Sequence, residues 1–303
     1  MTSETRIDAS QDMSVEDRTL DGPHGPLRVR VYEPSKRNAR GIGFVWAHGG
    51  TWSFGDLDFP EAHGVSLALA AAGITVVSVD YQLAAVPEPY VAAGLPARDG
   101  VFFPIASEEV TAVFQWASTE SGLPVRAWSL GGGSAGGNLA AGACLRLRDR
   151  GEPMPRTLVL AYAALHATLP APSDELAKKA TAAPSRFLPP DLDFKELYRS
   201  LVLNYVGNEE QLESPYAFPG GHDLRGLPPV FVLNSDSDFL RTSGEQFAAE
   251  LASAGVDVLQ IRENGTVHGH LMEPERDDSV RSFRRIVAWL SSEDLVGTAH
   301  ETA

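Results

Sequence analysis

Cysteine is almost missing from this 303-residue chain: Cys144 stands alone. No internal disulfide can form, which leads to the expectation of a reducing, cytoplasmic setting. Basic residues are also scarce, with 25 Lys and Arg against 40 Asp and Glu, giving a formal net charge of −15. Such an acidic balance argues against nucleic acid or an anionic membrane as a partner. No apolar run approaches the roughly 20 residues that a membrane-spanning helix needs. Residues 1–8 carry no apolar core of signal-peptide length. Internal repeats and low-complexity segments are absent as well. What is present is an ordinary globular composition, 43% hydrophobic and 21% charged, sufficient for one large α/β domain over residues 1–303.

Short β-branched or apolar runs alternate with helical ones along the chain. Strands are expected at residues 27–32 (an edge strand), 43–47, 74–80, 125–130, 158–162, 229–234 and 256–261. Helices are expected at residues 65–72, closed by Gly73, and at 108–119, 138–145 and 279–290. This alternation predicts a mostly parallel central sheet covered by helices on both faces. Two segments fall outside it. The first twenty or so residues are polar and are expected to lie loosely over the body. Between Leu165 and Leu227 the prolines Pro170, Pro172, Pro184, Pro189 and Pro190 break the pattern, and then Phe194, Leu197, Tyr198, Leu201 and Tyr205 recur at helical spacing. A helical insert between two core strands reads as a cap over a site.

The most informative stretch is Gly131-Gly132-Gly133-Ser134-Ala135-Gly136-Gly137-Asn138. It follows a predicted strand and opens a predicted helix, so Gly-x-Ser-x-Gly stands here in the context of a nucleophile elbow. The glycines admit a turn too tight for side chains, and the serine is lifted to a helix N-terminus that favours developing negative charge. No Lys-Ser or Lys-Thr follows as in a phosphate loop, and the spacing fits no dinucleotide fingerprint. No cofactor is therefore expected.

A serine hydroxyl needs an imidazole to take its proton and a carboxylate to orient that imidazole. After such an elbow the order is acid, then histidine. Asp236 and Asp238 follow the strand at 229–234, and His268 and His270 follow the strand at 256–261. Spacing alone does not separate the two aspartates; the other one is expected to cap the helix near residues 242–244 or to be solvated. His268 and His270 lack the Cys or acidic companions of a metal site, so no metal is expected. His24, His63, His166 and His222 read as surface or cap positions. His48-Gly49-Gly50-Thr51-Trp52 ends another strand, where Gly49 and Gly50 can aim backbone N–H groups at an oxyanion, joined by the Ala135 amide. Cys144, in an apolar helical run, reads as a small core residue rather than a nucleophile.

These stretches, with Tyr81-Gln82-Leu83-Ala84, Gly226-Leu227-Pro228-Pro229 and Asp238-Phe239-Leu240-Arg241, resemble the hormone-sensitive-lipase-like bacterial esterases of the α/β-hydrolase fold. The resemblance spans roughly residues 43–270. It implies Ser134, Asp238 and His268 as catalytic residues, with Asp238 favoured over Asp236. It also implies a cap built from about residues 1–25 and 165–227, and a small-molecule ester as substrate. Amide hydrolysis, acyl transfer, elimination and a non-catalytic ligand-binding role stand as alternatives on the same fold, and a homodimer as an open assembly state. Four departures stand out. Gly133 occupies the position where the family usually has an acidic residue. Thr51 replaces a third oxyanion-loop glycine, about sixteen extra residues separate Ala84 from Phe103-Pro104, and His270 replaces an aromatic residue.

Overall fold

A computed structural model describes residues 13–182 and 193–293. Pro184, Pro189, Pro190 and residues 1–12 of the expected cap lie outside the described residues. In chain order the elements are β1 Ser14–Gly22, β2 Gly25–Glu33, β3 Ile42–Ala47, α1 Pro60–Ala71, β4 Ile74–Asp80, α2 Glu88–Ala92, α3 Ile105–Thr119 and β5 Ala127–Gly133. There follow α4 Ala135–Asp149, β6 Leu158–Ala161, α5 Asp174–Ala182, α6 Phe194–Val206, β7 Val230–Ser237, α7 Arg241–Ser253, β8 Val258–Val267 and α8 Asp277–Ser291.

The eight strands form one sheet in the order β1-β2-β4-β3-β5-β6-β7-β8. β1 and β2 are a hairpin, β2 pairs antiparallel with β4, and every neighbouring pair from β4 to β8 is parallel. Successive side chains of a strand point to opposite faces, and the two cores divide accordingly. Val45, Val77, Leu158, Leu160, Val230 and Val232 join α3, α4 and α7 on one side. Phe44, Trp46, Val76, Val159, Phe231 and Leu233 join α1 and α8 on the other. A parallel sheet buried on both faces needs such near-continuous apolar strands.

Two expectations are corrected. Residues 27–32 are not an edge strand, because β1 pairs along the full length of β2 outside them. Residues 14–22 are therefore part of the sheet rather than loose or laid over the body. Their polarity is that of an exposed edge: Glu16 and Asp17 are exposed and Arg18 is half-buried, and such charge discourages pairing with another chain. The helix expected at residues 65–72 begins earlier, at Pro60, a residue suited to a first helical turn.

The insert between β6 and β7 carries α5 and α6. Asp193 caps α6 by accepting from the Lys195 and Glu196 N–H groups, and Gly207 ends it in a left-handed conformation. Its buried stripe of Leu197, Tyr198, Leu201 and Tyr205 packs into the main core, where Tyr205 stacks on Trp52 at 4.6 Å. The extra segment after Ala84 is a loop containing α2. Hydrogen bonds from Val86 N to Arg98 O and from Val101 N to Leu83 O close its neck. No helix among the described residues is long and apolar enough to cross a membrane.

Leu160 lies fully buried in the middle of the sheet. Leu160→Ala is expected to lower unfolding free energy by about 3 kcal/mol in a urea titration, the cost of a core cavity; an unchanged midpoint would contradict this packing.

Candidate active site

β5 runs from the sheet interior through its three glycines and stops at Ser134, which has φ 52° and ψ −119°. This backbone is unusual for a residue with a side chain. Its surroundings hold it in place: Ser134 N donates to Ala161 O at 2.8 Å, and Asn138 N donates to Ser134 O at 3.1 Å. The turn can be this tight only because neighbouring positions lack side chains. A Cβ on Gly136 would lie 2.1 Å from the Ala47 carbonyl oxygen, and one on Gly132 would lie 2.3 Å from the Gly136 carbonyl carbon.

The Ser134 Oγ sits 3.0 Å from His268 Nε2, and His268 Nδ1 sits 2.7 Å from Asp238 Oδ2. The second Asp238 oxygen accepts the Leu240 N–H at 2.9 Å, which fixes the carboxylate at the start of α7. Burial disfavours the His268 imidazolium, but the charge and hydrogen bond of Asp238, joined by the charge of Glu61, outweigh it and raise the His268 pKa.

The structure brings Ser134, Asp238 and His268 together and leaves Asp236 apart. A register irregularity between Ser235 and Ser237 offsets Asp236 from the regular ladder. Its carboxylate binds Lys179 of α5 at 3.0 and 3.1 Å and the Gly265 N–H at 3.1 Å. Burial raises its pKa, and these donors more than reverse that. Asp236 thus neither caps the helix near residue 242 nor sits in solvent; it ties the insert to the loop before His268.

His268 and His270 lie on either side of Gly269, whose φ of 73° turns the chain between them. His270 sits between the Ser235 and Ser282 hydroxyls at 3.0 and 2.9 Å, and burial lowers its pKa to about 4. His166 is also more enclosed than a surface position, 2.8 Å from Ser243 Oγ and 3.2 Å from Glu250 Oε1.

The loop after β3 approaches the elbow from the other side. Gly50, Thr51 and Trp52 all have positive φ, at 106°, 53° and 61°. His48, fully buried, stacks on Tyr81 at 4.5 Å, and the Tyr81 hydroxyl donates to the His48 carbonyl at 2.8 Å. Trp52 Nε1 donates to Asn138 Oδ1 at 3.1 Å, pinning the loop to α4. The Gly50 and Ala135 N–H groups have no acceptor among the described residues. Gly49, expected to donate beside them, instead gives its N–H to the Glu61 carboxylate.

Glu61 and Tyr162 escaped the sequence reading. Glu61 is fully buried on the first turn of α1 and accepts the Tyr162 hydroxyl at 2.6 Å. Tyr162 has a φ of 39° and sets its ring edge-on to His268 and His270, with centroids 5.2 and 5.3 Å away. Burial raises the Glu61 pKa, against the pull of the Tyr162 hydroxyl, the Gly49 N–H and nearby His268.

A model of the α/β-hydrolase fold matches residues 44–272. The chain belongs to the α/β-hydrolase fold family. Among its relatives in that family is an esterase of Mycobacterium tuberculosis, 32% identical, with the match covering 86% of this chain and 76% of the relative. Another is an arylesterase of Saccharolobus solfataricus, 31% identical over 84% of this chain and 76% of the relative. An esterase structure from Pyrobaculum calidifontis superposes with a TM-score of 0.78 at 32% identity, covering 95% of this chain and 88% of that one. The hydrolase stands in the esterase branch, as its resemblance to the hormone-sensitive-lipase-like proteins implies.

Asp236 generates a stability prediction. Its lowered pKa stabilises the fold above the ordinary aspartate value, and that stabilisation is lost as pH falls through the folded-state value. Asp236→Asn should cost about 2 kcal/mol at neutral pH by chemical denaturation, with the gap from wild type closing in acid. A gap independent of pH would contradict the ionic role.

Proposed function

We propose that this carboxylesterase cleaves small or medium esters through an acyl-enzyme formed on Ser134. The carrying observation is the continuous chain of contacts from Ser134 Oγ to His268 at 3.0 Å and from His268 to Asp238 at 2.7 Å. In the first step the Ser134 oxygen bonds to the ester carbonyl carbon, its proton passes to His268 Nε2, and the carbonyl π pair moves onto oxygen. The Gly50 and Ala135 N–H groups, both without an acceptor among the described residues, stand as oxyanion donors, each worth about 3 kcal/mol in the transition state. Collapse of the tetrahedral species breaks the bond to the alkoxy oxygen, which leaves as alcohol with the proton from His268. Water then repeats the sequence, with His268 again as base, and releases the acid and free Ser134. Asp238 holds the imidazole in the tautomer that presents an unprotonated Nε2 to the serine, and stabilises the imidazolium that forms.

Gly49 has a supporting place in this scheme, since its N–H is already engaged. The insert of residues 165–227 is proposed as the cap. Its helix α6 reaches the oxyanion loop through the Tyr205–Trp52 stack and through Asn204 Nδ2, which donates to Ser53 Oγ at 3.2 Å. The cytoplasmic setting expected from the lone Cys144 belongs to the same proposal.

Hydrolysis of p-nitrophenyl acetate tests the scheme. Ser134→Ala is expected to lower kcat at least roughly 10⁴-fold with circular dichroism unchanged, and Asp238→Asn to cost a comparable factor. Asp236→Asn should stay near wild type. Equal losses in the two aspartate variants would overturn the assignment of the acid. The pH profile follows from the sign of the His268 shift. The base must be neutral, so kcat/KM should fall as pH drops through a value above the ordinary imidazole 6.5. An acid limb below that value would count against His268 as base.

A further inference from the structure

Gly133, immediately before the nucleophile, has no side chain, and the space a side chain would take is occupied. A Cβ built there would lie 2.6 Å from Glu61 Oε1. The Glu61 carboxylate reaches this point from α1, whose first turn is fastened by Trp46 Nε1 donating to the Glu61 carbonyl at 2.8 Å. Both carboxylate oxygens have partners: one accepts the Tyr162 hydroxyl, the other the Gly49 N–H. Three strand ends therefore meet at one buried carboxylate, those of β3 through Gly49, β5 through Gly133 and β6 through Tyr162.

We infer that Glu61 is a positioning residue of the catalytic centre, holding the oxyanion loop and the nucleophile turn in mutual register. The inference rests on the acyl-enzyme reading given above. Glu61 fixes the His48–Gly49 peptide through its N–H, and the Tyr81 hydroxyl donates to the Gly49 carbonyl of the next peptide, the one that carries the Gly50 N–H. The same carboxylate holds Tyr162, whose ring flanks His268. Glu61 touches no reacting atom in this scheme; it acts through Gly49 and Tyr162, and its charge adds to that of Asp238 on His268. An oxyanion donor displaced by a fraction of an ångström loses its value in the transition state while substrate binding is unaffected. The contribution of Glu61 should accordingly appear in kcat and not in KM.

Glu61→Gln keeps the shape but leaves two buried donors, Gly49 N–H and Tyr162 O–H, facing one acceptor and one amide NH₂. With p-nitrophenyl acetate, and with sites counted by fluorophosphonate titration, kcat and kcat/KM are expected to fall together by about 100-fold, with KM within about twofold. The decisive partner is the exchange variant Glu61→Ala/Gly133→Asp, which brings a carboxylate to the same spot from the elbow. Gly133 has no positive φ, so its backbone admits a side chain. This variant should recover kcat to within about tenfold of wild type, well above Glu61→Ala alone. A kcat for Glu61→Gln close to wild type, a loss confined to KM, or no recovery in the exchange variant each overturns the inference. If Glu61→Gln fails to fold, Tyr162→Phe replaces it: it removes only the hydroxyl donor, and an unchanged kcat there overturns the inference equally. Failure of the underlying reading looks different, since wild type would then hydrolyse ester without fluorophosphonate modification of Ser134.

Discussion

The site depends on a single strained residue held at the end of a rigid strand. Ser134 adopts φ 52° and ψ −119°, a conformation that costs of order 1–3 kcal/mol for a residue with a Cβ. Nothing within the turn repays that cost. The surroundings do, through the parallel ladder of β5 with β3 and β6, the Ala161 carbonyl receiving the Ser134 amide, and the contact of glycine backbone at Gly132 and Gly136 with the end of β3. The apolar sheet therefore does more than give stability. It supplies the over-determined frame without which the serine would relax into the helix.

Charge in the site is arranged with equal economy. His268 and His270 are two residues apart, both largely enclosed, and both beside the Tyr162 ring. They titrate in opposite directions because their partners differ. The Asp238 carboxylate outweighs burial at His268 and raises its pKa, whereas burial lowers that of His270, which sits between two serine hydroxyls. One histidine is poised to gain and lose a proton, and its neighbour is a hydrogen-bonded wedge between β7 and α8. Asp236 and Asp238 form a similar pair. One is committed to Lys179 and the Gly265 amide, the other to the imidazole.

Much of this was legible in the residues themselves. The alternation of apolar runs carries the parallel sheet, and the elbow, acid and histidine appear in the chain order known for this kind of elbow. What escaped did so for physical reasons. β1 is an exposed polar edge, so it lacks the apolar period that marks a strand. Asp236 and Asp238 could not be separated by spacing, because the irregularity in β7 that sets them apart is a feature of pairing with β8. Glu61 follows a proline at a helix start, where an acidic residue ordinarily serves the helix dipole, and its burial depends on contacts with Gly49, Gly133 and Tyr162 from three distant segments. The glycine in place of an acid at position 133 was visible; that it makes room for a carboxylate from elsewhere required the fold.

In the proposed scheme the turn at Ser134 presents a nucleophile that becomes acylated. Its most direct test is modification of the native protein with a fluorophosphonate, followed by mass mapping of the peptides. One adduct per chain is expected, on Ser134, with loss of esterase activity in step with its formation. An adduct on any other residue, or full inactivation with Ser134 unmodified, would contradict it.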